Sequence, residues 1–154
     1  MPNTANISGI LEEQLDQFPF GQKAKFLLQN PRLGQKPWTQ ESYMQEKGWH
    51  LSNCFGTVLW LLGGQQGPRP YFGKESEIRT VITHRAQQVQ ESAGSIIICE
   101  RIGLEHAALG IGFIGGKEYV LHQGGTGRAF EIKKLSYLRE LGYVFKYYEL
   151  KKHF

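Results

Sequence analysis

The feature that most constrains this chain is a change of periodicity near residue 93. Before it, apolar residues recur at helical spacing. "SGILEEQLDQF" sets Ile10, Leu11, Leu15 and Phe18 near one face, with Ser8 as a cap, and "GQKAKFLLQN" sets Ala24, Leu27 and Leu28 on another, stopped by Pro31. "NPRLGQKPW" reads as a loop and "TQESYMQEKG" as a further helical turn. "ESEIRTVITHRAQQVQES" reads as an amphipathic helix through Ile78, Val81, Ile82 and Val89. After residue 93 the spacing drops to two. "GSIIICE", "HAALGIGFIGG", "KEYVLHQGG", "GRAFEIKKL" and "GYVFKYYELKK" read as strands joined by glycine-rich turns. Helices first and strands afterwards predict an α+β fold, with N-terminal helices packed on an antiparallel sheet. In the "HAALGIGFIGG" strand, Ala107, Leu109, Ile111 and Phe113 share one face. Ala108, Gly110 and Gly112 form a small face that another backbone or helix can approach.

A chain of 154 residues makes one ordinary domain, and 40% hydrophobic with 21% charged residues is a soluble globular composition. The net charge of +4 is spread along the chain and does not call for a nucleic-acid partner. No apolar run is long enough for a membrane span, and no cleavable signal peptide is visible at "MPNTANISGILEEQ". The expected location is the cytoplasm, or outside the cell by a signal-independent route. The two cysteines, Cys54 and Cys99, form no CxxC and no Cys/His cluster at zinc spacing, so neither a disulfide scaffold nor a metal site is expected.

The chemistry concentrates in "WHLSNCFGTVLWLLGG", residues 49 to 64. Cys54 follows Asn53 at the head of an apolar helix that Gly63-Gly64 ends. A helix N-terminus lowers a thiol's pKa, and a neighbouring histidine lowers it further. His106 begins one strand and His122 ends the next. Neighbouring antiparallel strands can bring two such residues side by side, one as base and one as orienter. A one-residue register error would put Gln123 in place of His122. Cys99, inside "IIICE", reads as a core residue. "GGTGR" lacks the Lys-Ser/Thr of a P-loop and reads as a β-turn.

"NCFGTVLWLL", "AGSIIICE", "EHAALGIGFIGGKEYVLHQGGTGRAFEIKKL" and "YVFKYYEL" together resemble the NlpC-type branch of the papain-like cysteine hydrolases. The likeness covers roughly residues 43 to 150, which would be the catalytic core of a single domain, 1–154, behind a helical part at 1–42. It implies a papain-like fold with Cys54 as nucleophile, His106 as base and His122 as orienting residue. It also implies hydrolysis of a peptide or other amide with no cofactor. Gly56 stands on the family's Cys-Gly motif glycine, and Gly94-Ser95 stands at its Gly-Asp step. Tyr43 lies where the family has an upstream active-site tyrosine. Asn53 and Phe55 replace an Asp and a Ser that help grip a peptide in the cell-wall enzymes. Tyr43, Asn53, Phe55 and Gln123 are therefore the expected substrate contacts, and Phe55, if it faces the cleft, would favour an apolar group beside the scissile bond. The same site would also serve a deamidase or an acyltransferase acting on protein or lipid, or a secreted effector or toxin. A binding module without turnover is the reading from another class.

Overall fold

Six antiparallel strands form one sheet in the order β1-β6-β2-β3-β4-β5. The structure is a computed structural model, which describes residues 4–35 and 51–154. The strands are β1 (Ala86–Val89), β2 (Ile96–Glu100), β3 (Leu104–Ile114), β4 (Lys117–Gln123), β5 (Phe130–Lys134) and β6 (Val144–Leu150). Five helices are present among the described residues: α1 (Thr4–Leu15), α2 (Gly21–Gln29), α3 (Cys54–Leu62), α4 (Glu75–Arg85) and α5 (Leu135–Glu140), with a 3₁₀ turn at Pro31–Gln35.

The strand alternation sorts the core into two layers. Ile96, Ile98, Ala107, Leu109, Ile111, Tyr119 and Leu121 face α1 to α4, meeting Leu11, Leu15, Leu27, Val58, Leu61 and Ile78. Ile97, Cys99, Ala108 and Val120 face the other way, under Leu135 and Leu138 of α5. The small face expected on β3 is thus where α5 settles near Ala108, and where the turn before β2 closes in. Gly94 N–H donates to the Gly110 carbonyl at 2.7 Å, and Gly110 N–H to the Ser95 carbonyl at 2.9 Å. The α+β class and antiparallel sheet match the sequence reading. No helix among the described residues is long and apolar enough to cross a membrane.

Four local readings are corrected. The helix expected through residue 92 stops at Arg85, and Ala86–Val89 pairs with Tyr147–Leu150 as an edge strand. Val89 fits the helical period, but a free sheet edge offers its backbone a ladder, and tertiary pairing outweighs that weak propensity. Phe113 leaves the core face and is 45% exposed. The β3–β4 register slips between Gly110 and Gly112, where Gly112 takes φ +127°, and a bulge reverses every side chain beyond it. Helix α5, too short for its period to stand out, lies in what reads as a strand end. Helix α1 starts at Thr4, ahead of the expected cap Ser8.

Candidate active site

Cys54 is positioned by a buried asparagine. Asn53 is extended (φ −136°, ψ −178°), so it stands outside the helix and caps it. Its Oδ1 accepts from Gly56 N–H and from Gly73 N–H, each at 2.9 Å, and its Nδ2 donates to the Gly73 carbonyl at 2.8 Å. One side chain thereby joins the first turn of α3 to the Tyr71–Gly73 segment. At the other end, Gly63 adopts φ +94° and closes the helix, as its position predicts. Asn53 is only 7% exposed, and both ends of its amide are occupied. It is a structural staple, which corrects its reading as a substrate contact. Asn53→Asp, which restores the resembled family's residue, should destabilise the protein by about 1–3 kcal/mol, because it sets a carboxylate oxygen against the Gly73 carbonyl. Urea unfolding measures this; an unchanged midpoint would show that the Nδ2 bond carries no stability.

The Cys54 thiol faces the backbone N–H groups of Ala107, Phe55 and Cys54 itself. The β3–β4 pairing ends at Leu109–Leu121, short of Ala107, so the head of α3 meets β3 where that ladder has stopped. The three N–H groups draw the thiol's pKa down, as a helix start should. Burial outweighs them and pushes it up to about 11. The expected net lowering is therefore not found, because the number of waters lost at the sulfur cannot be read from helix position. Among the described residues, no hydrogen bond joins Cys54 Sγ to a ring nitrogen of His106.

The two histidines do meet. His106 Nε2 lies 2.8 Å from His122 Nδ1, the rings nearly perpendicular at 84°, and His122 Nε2 lies 3.2 Å from Glu131 Oε1. Strand alternation places both rings on the α5 face with Ala108 and Val120; the apolar body of α3, Val58 to Leu61, packs on the opposite face, and Cys54 at its head belongs to neither apolar cluster. Burial pulls His106 down to about 3, with the neighbouring imidazole adding to it. Burial and then Lys133 pull His122 down to about 4. Both rings are neutral near pH 7, and the hydrogen-bond order fixes their tautomers. A carboxylate only accepts, so His122 carries its proton on Nε2. Its Nδ1 must then accept from His106 Nε2–H, which leaves the lone pair of His106 on Nδ1.

This arrangement has a pH consequence. A histidine near pKa 6.5 when unfolded takes up a proton that the folded ring refuses, so stability present above about pH 6.5 is lost as the pH falls towards 3–4. Glu118, raised to about 7 mainly by burial and then by Glu91, acts in the opposite sense over that range. The difference between variants isolates the rings. Between about pH 7 and 4.5, His122→Gln should lose about 2 kcal/mol less unfolding free energy than the wild type. Parallel pH curves would show that His122 is not held neutral.

Gln123 is not the partner of His106. It is fully buried on the α3 face, where its Oε1 accepts from Thr57 Oγ1 at 2.9 Å. Its Nε2 donates to the Arg128 carbonyl at 2.8 Å and to the Gly34 carbonyl at 3.4 Å. This also removes Gln123 from the substrate contacts, because both ends of its amide are spent inside the fold. Phe55 is half-buried against the helical-side core. Tyr43 lies outside the described residues. The GGTGR segment is a turn, with Arg128 N–H donating to the Gly125 carbonyl at 3.1 Å, and it is tied back to the segment before α3 by Gly127 N–H on the Ser52 carbonyl at 3.0 Å.

Beside the imidazoles lies a cavity of about 410 Å³, lined by His106, His122, Arg128, Glu131, Tyr137 and Tyr143 among others. Cys54 is not in that lining and is 6% exposed. Glu131 and Tyr143 were not among the sequence candidates. Glu131 had a faint signal: a hairpin turning over residues 124–129 pairs His122 with Glu131, as the β4–β5 register does. Among the described residues, no group of three or more His, Cys, Asp or Glu side chains is placed to hold a metal ion. No family model, curated protein or solved structure matches this chain.

Proposed function

We propose that the protein is a cysteine hydrolase of papain-like type that cleaves an amide bond through Cys54. The observation that carries this reading is the Glu131–His122–His106 series, which leaves a lone pair on His106 Nδ1 one residue from the Ala107 N–H facing the thiol. As substrate enters, the Cys54 proton passes to His106 Nδ1 and the sulfur attacks the carbonyl carbon. Backbone N–H groups at the start of α3 stabilise the oxyanion. The imidazolium returns the proton to the leaving nitrogen, the C–N bond breaks, and a thioester remains. Water then gives a proton to His106 and attacks the thioester, releasing the acid and restoring the thiol. His122 and Glu131 are positioning residues. With both rings neutral and the thiol raised, the resting pair is thiol and imidazole, not the thiolate–imidazolium pair of the simplest scheme.

Burial of the thiol favours one second reading, a binding module that keeps the fold without turnover. Alkylation separates the two. Cys54 should react with iodoacetamide at least about tenfold faster than Cys99, which is fully buried and pushed up to about 12. The Cys54 rate should climb with pH through the neutral range instead of levelling off, because no thiolate is preformed. Equal rates at both cysteines, or labelling of Cys99 alone, would remove Cys54 as nucleophile.

A further inference from the structure

We propose that Arg128 selects the substrate, by receiving a carboxylate that the substrate carries beside its scissile amide. The proposal deepens the hydrolase reading and rests on it. The cavity beside the imidazoles is the polar recess next to the proposed base, and Arg128 stands in its wall with an exposed side chain. The carboxylate in the lining, Glu131, is engaged with His122 and does not pair with Arg128. Lys133 lies on the same strand face, its ammonium 5.0 Å from the Tyr137 ring centroid. Within the lining, among the described residues, Arg128 is the one cation and Glu131 the one carboxylate, and Glu131 is turned to His122, which leaves the guanidinium open to an incoming anion.

Arg128 is also held in place. Its carbonyl takes the Gln123 amide at 2.8 Å, its N–H donates to Gly125, and the preceding Gly127 N–H binds the carbonyl of Ser52, two residues before Cys54. The turn that carries the guanidinium is therefore fixed to the segment that carries the thiol. A guanidinium presents a rigid fork of donors suited to a carboxylate, and holding its backbone lowers the ordering cost of recognition. An anionic preference at Arg128 would stand beside the apolar one expected from Phe55. Phe55 packs against the helical-side core, whereas the wall beside the base carries histidine, arginine and tyrosine.

The test needs no known substrate. Iodoacetate and iodoacetamide deliver the same carboxymethyl or carboxamidomethyl chemistry to a thiol, and only the first is an anion. Rates at Cys54 are read by mass spectrometry on the full chain, as the iodoacetate-to-iodoacetamide ratio divided by the same ratio for glutathione. The ratio should exceed one by about fivefold in the wild type, and it should fall in about 0.5 M salt. Arg128→Gln should bring it close to one. Arg128→Lys should keep most of it, and the remote Lys152→Gln should leave it unchanged. A wild-type ratio near one, or a preference that survives Arg128→Gln, overturns the assignment of Arg128 while leaving Cys54 a reactive nucleophile. No labelling of Cys54 by either reagent overturns both this assignment and the hydrolase reading.

Discussion

Cys54→Ala should reduce acyl transfer from an activated ester such as p-nitrophenyl acetate by about a thousandfold or more, to the level of bulk solution. The wild type should show a burst of p-nitrophenol equal to the enzyme present, followed by slower turnover, because the thioester forms and then hydrolyses. The variant should show neither phase. Its fold should survive, since alanine removes only one sulfur from a site whose backbone is held by Asn53 and Gly73. His106→Ala should keep the thiol and lose most of the burst rate, because the proton then has no acceptor. Wild-type ester hydrolysis in Cys54→Ala would sink the hydrolase reading and leave the binding module.

The largest expected effect on stability lies at Gly56. A methyl group there would fall inside the carbonyl oxygen of Tyr71, with the Tyr71 carbonyl carbon at 2.9 Å and Gly73 N at 3.0 Å. Backbone atoms cannot turn aside as a side chain can. Either the first turn of α3 or the Tyr71–Gly73 segment must move, and both are bound to Asn53. Gly56→Ala should therefore cost about 3 kcal/mol or more, or leave no soluble folded protein. The matching control is Gly9→Ala in α1, where nothing lies within 4 Å of the added methyl and the helix should gain up to about 1 kcal/mol. Equal melting temperatures for the two variants would show that the α3 turn and its neighbour are not packed as described.

The parts of this molecule that were legible in its sequence are those set by short-range chemistry. The start of α3 follows from Asn53 and its end from Gly63, because caps are local hydrogen-bond problems. His106 and His122 came together because two strands of alternating pattern flank a glycine turn. Long-range features were hidden. The slip at Gly112 leaves no mark in the alternation of residues 107–113: the residue takes φ +127°, with the Gln14 side chain of α1 beside it. The choice between His122 and Gln123 turns on which face each strand end presents, a one-residue matter that periodicity leaves open. The protonation state of Cys54 turns on burial by neighbours brought from across the chain, and the helix start alone points the wrong way.

Gln123 has a consequence of a mechanical kind. Its one carboxamide touches Thr57 on α3, the Arg128 carbonyl in the turn after β4, and the Gly34 carbonyl in the 3₁₀ turn. Three stretches far apart in sequence thus share a single rivet at the end of β4. The turn cannot swing as a lid while α3 stays still; pulling one drags the other. Lengthening the turn would unseat the rivet and disturb the helix that carries the thiol.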